Sequence, residues 1–220
     1  MKNKSTVNIA KIIEIITKEN KKYKVPIVTE FSKNGDPFKV LISCLLSLRT
    51  KDQVTKDASI RLFNLADTPQ KFQNKNVSEI EKLIYPVGFY KVKAKRIIEI
   101  CDNLISKYDG KVPSEIDELL KLKGVGRKTA NLVVTLGYNK LGICVDTHVH
   151  RISNRLGYVK TDTPYKTEME LRKILPKKFW KVYNDLLVTY GQNICVPISP
   201  KCTICKIRLL CNHVGVKKYR

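Results

Sequence analysis

Near the end of the chain, Cys195, Cys202, Cys205 and Cys211 form a C-x6-C-x2-C-x5-C array, and nothing else in the sequence constrains the fold as strongly. Four thiolates held so close together need a cationic centre to share. Structural zinc usually takes two separated C-x2-C pairs, each forming a knuckle, whereas this array has one pair flanked by two unequal loops. Four soft ligands around a compact cube suit a [4Fe–4S] cluster better, and zinc is the alternative on ligand chemistry alone. The sequence has seven Cys, and an odd number in a reducing compartment points to metal or cluster ligands plus buried thiols rather than bridges. Cys44, Cys101 and Cys144 sit in apolar helical contexts and read as buried thiols.

Apolar spacing is helical nearly everywhere, as in Ile9, Ile12, Ile13 and Ile16 or Ile97, Ile98, Cys101 and Leu104, and sustained period-two alternation is scarce. The expected fold class is all-α. Turn signals divide the chain into helices of ordinary length: Asn34-Gly35-Asp36-Pro37, Asp67-Thr68-Pro69, Tyr85-Pro86-Val87-Gly88, Asp109-Gly110, Lys123-Gly124-Val125-Gly126, Gly137-Tyr138-Asn139 and Thr161-Asp162-Thr163-Pro164. The longest apolar run, Val40 to Leu48, is too short to span a hydrocarbon core. The N-terminal stretch lacks the apolar core and cleavage site of a signal peptide, so a cytoplasmic protein is expected, nucleoid-associated if prokaryotic. With 220 residues there is room for one large domain or two small ones. Lys and Arg number 42 against 20 Asp and Glu, a net charge of +22. Such an excess suits a polyanionic partner, unless lysine simply covers every surface.

Two further segments carry chemistry. Leu122-Lys123-Gly124-Val125-Gly126-Arg127-Lys128-Thr129-Ala130 links a helix ending near Leu122 to one whose apolar face is Ala130, Val133, Val134 and Gly137. Without Cβ atoms at Gly124 and Gly126, backbone N–H groups can approach a phosphate, and the following helix adds its dipole. Val125 and Arg127 belong to the same candidate phosphate contact. Lys128 falls in the first turn, where the macrodipole opposes a positive charge; it is either a phosphate contact or a neutral amine nucleophile. In Val145-Asp146-Thr147-His148-Val149, Asp146 is a natural N-cap for a helix with the apolar stripe Val149, Ile152 and Leu156. A carboxylate there can also stabilise positive charge developing on a substrate. His148 and His150 lack metal-site spacing and read as structural or DNA-facing.

Taken together, the glycine hairpin with its lysine, the V-D-T-H-V segment and the four-cysteine array resemble the endonuclease III family of helix-hairpin-helix DNA glycosylases with AP-lyase activity. The resemblance runs from about Pro37 to Cys211. It implies a six-helix barrel domain carrying the hairpin at residues 30–140, and an iron–sulfur helical domain built from both chain ends, 1–29 and 141–220. It implies that Lys128 is the Schiff-base lysine, Asp146 the catalytic aspartate, and Cys195, Cys202, Cys205 and Cys211 the ligands of a [4Fe–4S] cluster. Phe89 matches a position whose apolar side chain wedges into the base stack as a damaged nucleotide flips out. Arg49 stands where the family usually has glutamine, and Lys123 where proline is common. Lys201, Lys206 and Arg208, in or beside the cysteine loops, are expected to meet phosphates.

The implied activity is removal of oxidised pyrimidines from double-stranded DNA and β-elimination at the abasic site, by a monomer without membrane contact. Lys128 argues against the mismatch-specific glycosylases of the superfamily, and a chain running nine residues past Cys211 leaves no room for the extra domain of the adenine-specific ones. The alternatives are a mismatch-specific glycosylase, a non-catalytic DNA-binding module stapled by a structural metal, and, more remotely, an electron carrier.

Overall fold

The computed structural model describes residues 7–23 and 35–220, and among these there are helices and turns but no strand. The chain divides into two compact units, Ile27–Gly142 and Met1–Pro26 with Ile143–Arg220. The expected boundary between residues 29 and 30, and Asn34 of the first turn signal, lie outside the described residues. The second unit boundary falls between Gly142 and Ile143, two residues beyond the expected one.

In the unit Ile27–Gly142, helix α2 (Pro37–Ser47) is the centre of the core. Asp36 caps it, its Oδ1 accepting from Phe38 N at 2.9 Å and Lys39 N at 3.1 Å, and Pro37 occupies the first helical position. Phe38 and the run Val40–Leu46 are buried, so the helix is enclosed nearly all round. Around it lie α3 (Asp52–Leu65), α6 (Tyr90–Tyr108) and α8 (Arg127–Leu132); α4 (Pro69–Phe72), α5 (Val77–Ile84) and α7 (Ile116–Lys121) complete the unit. Thr68 caps α4 through its side chain. Asp109 ends α6 with a left-handed residue, at the expected Asp-Gly signal.

One departure from the sequence reading follows α8. The expected single helix through Gly137 changes at Val133 into a π-helical turn, Val133–Gly137. Thr135 Oγ1 donates to Asn131 O at 2.8 Å, and Gly137 lies so close to α2 that a Cβ there would sit 2.7 Å from Pro37 Cα. Helical periodicity persists through such a turn, which is why the letters did not disclose it.

The other unit joins α1 (Ile9–Asn20) to α9 (Thr147–Arg155), α10 (Pro164–Ile174) and α11 (Trp180–Asn193). Ile12 and Ile16 of α1 pack into a core with Val149, Ile152, Tyr183 and Leu187. Burying each such isoleucine contributes about 1.5–3 kcal/mol, and this ties the distant start of the chain to its second half. Asn20 Nδ2 also donates to Leu186 O at 2.9 Å. Among the described residues no helix is long and apolar enough to cross a membrane.

Candidate functional site

The hairpin is closed by Val125 N donating to Leu122 O at 3.0 Å, with the Val125 side chain buried and both glycines exposed. The two glycines are there for different reasons. Gly124 has φ +84°, and a Cβ would press on Arg96 Cδ at 3.2 Å, so the turn itself needs glycine. Gly126 has φ −92° and no atom of the protein within 4 Å of a would-be Cβ. No close contact inside the fold requires glycine there, and the position is open to solvent. Arg127 and Lys128 open α8, and the Lys128 side chain is exposed at the surface. Behind it, on α2, is the buried Cys44, whose thiol is pushed up to about 12 by burial and drawn down by the Lys128 charge. Lys123 pairs with Glu99 at 3.8 Å, so that charge is engaged on α6.

Asp146 takes the capping position expected for it. Its Oδ1 accepts from His148 N at 2.8 Å and Val149 N at 2.9 Å at the start of α9. His148 Nδ1 lies 3.0 Å from Arg151 Nη2, and His150 Nδ1 lies 2.7 Å from Thr167 Oγ1, so both histidines are engaged in structural contacts.

Arg49 and Phe89 come together although forty residues of chain separate them. The Arg49 guanidinium lies over the Phe89 ring, 5.6 Å from its centroid, and the ring is 62% exposed. Both residues have left-handed backbone, φ 53° and 58°. Sequence reasoning missed the residue beneath them, Lys93, which is buried on α6. A signal existed: Lys93 is in phase with Ala94, Ile97, Ile100, Cys101 and Leu104, the face that α6 buries, and a lysine on an apolar stripe is out of place.

The four cysteines of the array line one cavity, together with Ile152, Leu156 and Ile207. Polar groups are aimed at the sulfurs. Arg155 Nη1 donates to Cys195 Sγ at 3.4 Å, His213 N donates to Cys211 Sγ at 3.4 Å, and Tyr190 OH lies 3.1 Å from Cys205 Sγ. Burial raises the Cys202 and Cys205 thiols and pushes Cys211 up to about 11. Among the described residues no three His, Cys, Asp or Glu side chains converge closely enough to hold a single metal ion. On the same loops, Lys206 and Arg208 are exposed and Lys201 half-buried. Arg208 is steadied by Tyr219, its guanidinium 5.2 Å from the ring centroid. Cys44, Cys101 and Cys144 are buried, as expected of core thiols.

Residues 42–177 match the model of the HhH-GPD superfamily base excision DNA repair proteins. Endonuclease III of Thermotoga maritima is 48% identical over 188 residues, covering 84% of this chain and 88% of that protein. A solved non-covalent endonuclease III–DNA complex is similar with a TM-score of 0.83 at 34% identity, over 95% of this chain and 96% of that one. A trapped endonuclease III–DNA covalent intermediate, in an estranged-adenine complex, gives a TM-score of 0.75 at 39% identity over 81% and 84%. With a glycine hairpin leading into α8, an aspartate capping α9, and relatives of this identity over nearly their whole length, the chain belongs to the endonuclease III family of the HhH-GPD superfamily.

Proposed function

We propose that this protein is a base-excision-repair DNA glycosylase and AP lyase that removes oxidised pyrimidines from double-stranded DNA and cuts the resulting abasic strand. The observation that carries the reading is Lys128, an exposed amine in the first turn of α8, two residues after Gly126, around which the space is open. It belongs to a chain similar to an endonuclease III captured in a covalent DNA intermediate. The neutral amine attacks C1′ of the extruded nucleotide: the N–C1′ bond forms, the glycosidic bond breaks, and the base leaves with the bonding pair. The role that the family resemblance assigns to Asp146 is to oppose the positive charge that builds on the sugar, with a carboxylate that two backbone N–H donors hold in place. The sugar ring then opens to an imine on Lys128, loss of the C2′ proton expels the 3′ phosphate, and water releases the lysine. An enzyme with this substrate works where the DNA is, in the cytoplasm and its nucleoid in a prokaryote.

The cysteine loops suit a [4Fe–4S] cluster held by Cys195, Cys202, Cys205 and Cys211. Structural zinc usually takes two separated C-x2-C pairs, whereas these four line one cavity on loops of unequal length, an arrangement that suits a cluster with four thiolate ligands. Donors from Arg155, Tyr190 and His213 suit sulfurs that carry negative charge once bound. A bound cluster cross-links the loops that present Lys201, Lys206 and Arg208, and purified protein is expected to contain iron rather than zinc.

Borohydride trapping on duplex DNA tests the reading. The wild type is expected to form a covalent adduct with an abasic or oxidised-pyrimidine strand, and Lys128→Gln to lose the adduct while retaining DNA binding. Undiminished trapping in the variant would assign the amine elsewhere. Retention on DNA with no cleavage by the wild type would leave only a binding module.

A further inference from the structure

Lys93 is a buried charge with no role in the chemistry above. Its Nζ donates to Leu46 O at 2.9 Å, Leu48 O at 2.6 Å and Thr50 Oγ1 at 3.3 Å. An ammonium has three protons, and here each meets one oxygen from the segment that leaves α2. That segment is joined to the start of α6 by a second path. Gly88 N donates to Thr50 Oγ1 at 3.2 Å, and the Thr50 hydroxyl donates in turn to Leu48 O at 3.2 Å. The loops meet so closely that a Cβ on Gly88 would lie 2.5 Å from Arg49 O. On the α3 side, Arg61 fixes the preceding turn by donating to Leu83 O and Tyr85 O, both at 2.7 Å.

The outcome of this bonding is visible one residue further out. Arg49 and Phe89 both have left-handed backbone, a conformation that costs a non-glycine residue free energy and persists only where its surroundings impose it. Both side chains leave these strained positions toward solvent and stack on each other. Burial lowers the Lys93 ammonium from the usual 10.5 to about 8, so the protein bears a desolvation cost to keep a lysine here.

Resting on the reading of this chain as a DNA glycosylase, we propose that Lys93 is a positioning residue for duplex opening. It holds the 46–50 and 88–89 loops as one piece, so that Arg49 and Phe89 enter the helix as a preassembled stacked pair. An isolated phenylalanine on a mobile loop would have to be ordered at the moment of insertion. A pair stacked beforehand bears that ordering cost during folding. The guanidinium, carried on the face of the ring, arrives at the gap together with the wedge, where its donors can meet the acceptors of the unpaired base.

The test compares single-turnover cleavage of one abasic site in two settings: opposite guanine in a continuous duplex, and in a bulge where the nucleotide is already unstacked. Lys93→Met keeps the bulk of the buried side chain and removes its donors. Thr50→Val removes the shared hydroxyl and leaves the ammonium in place. Both are expected to slow cleavage of the duplex by roughly tenfold to a hundredfold, the scale of a misplacement of about 1 Å, and to leave the bulged site within about threefold of wild type. Phe89→Ala is expected to show the same selectivity. With 2-aminopurine beside the site, the fluorescence rise that reports unstacking is expected to be lost in all three. Equal slowing on both substrates, or no slowing on either, overturns the positioning role. A wild type that cleaves neither substrate overturns the AP-lyase reading and this inference with it.

Discussion

Asp146 caps α9 and, on the proposed reading, also opposes positive charge on the sugar; a single atom separates the two tasks. Its Oδ1 caps α9, a task that asparagine performs about as well, while only the carboxylate opposes positive charge on the sugar. Asp146→Asn is therefore expected to shift unfolding stability by less than about 0.5 kcal/mol and to lower single-turnover cleavage by roughly 100-fold or more, the usual size of a lost charge-stabilising group. Thermal unfolding and cleavage of the same preparation check it, and parallel losses in both would leave capping as the whole role. At this scale the sequence disclosed the placement of the candidate residues, the Asp146 cap, the first-turn Lys128 and the gathering of the four cysteines around one cavity, because they are polar letters at distinctive spacings. It did not disclose Lys93. Its oxygen partners include two backbone carbonyls, Leu46 O and Leu48 O, and no letter in a sequence encodes where a carbonyl points.

Among the elements, the hairpin holds one glycine that the fold requires and one that it does not. Gly124 is held by its own φ of +84° and by Arg96 beneath it, whereas Gly126 has ordinary backbone and open space. Gly126 is also the N-cap of α8, and it makes no side-chain cap. Serine fits that backbone and caps a helix better than glycine. Gly126→Ser is thus expected to leave thermal stability unchanged or slightly raised while weakening DNA binding several-fold, because its Cβ fills the space a phosphate approaches. Loss of stability together with affinity would mean that the fold needs this glycine after all. The Asp109-Gly110 stop of α6 and the Asp36-Pro37 start of α2 were legible because their chemistry is local. The π turn at Val133–Gly137 was not, since the close approach of Gly137 to Pro37 that accompanies it belongs to tertiary structure.

Over the whole molecule, the net charge of +22 has to be divided between solvated surface and DNA contact. Many of the ion pairs are neighbours one helical turn apart, such as Lys18–Glu14, Lys121–Glu118 and Lys166–Asp162. Exposed pairs like these add little to stability and serve chiefly to neutralise the acids locally. The basic surplus is therefore carried by segments poor in carboxylates, and the stretch Lys201–Arg220 contains neither Asp nor Glu. Within it, Arg208 Nη2 donates to Tyr219 OH at 3.2 Å, and Arg220 N and O pair with Pro200 O and Thr203 N. The end of the basic tail is thus laid along the cysteine loops, and the Arg208 guanidinium is held by Tyr219. Replacing Lys201, Lys206 and Arg208 by glutamine is expected to weaken binding to any duplex sequence and to flatten the slope of log affinity against log salt by up to roughly 2.7, three contacts at about 0.9 each. Binding isotherms between low and moderate salt measure the slope, and unchanged catalysis of bound substrate confirms that the cysteine loops are intact. A slope equal to that of the wild type would return these three cations to the solvated surface and shift the phosphate contacts to the hairpin around Arg127 and Lys128.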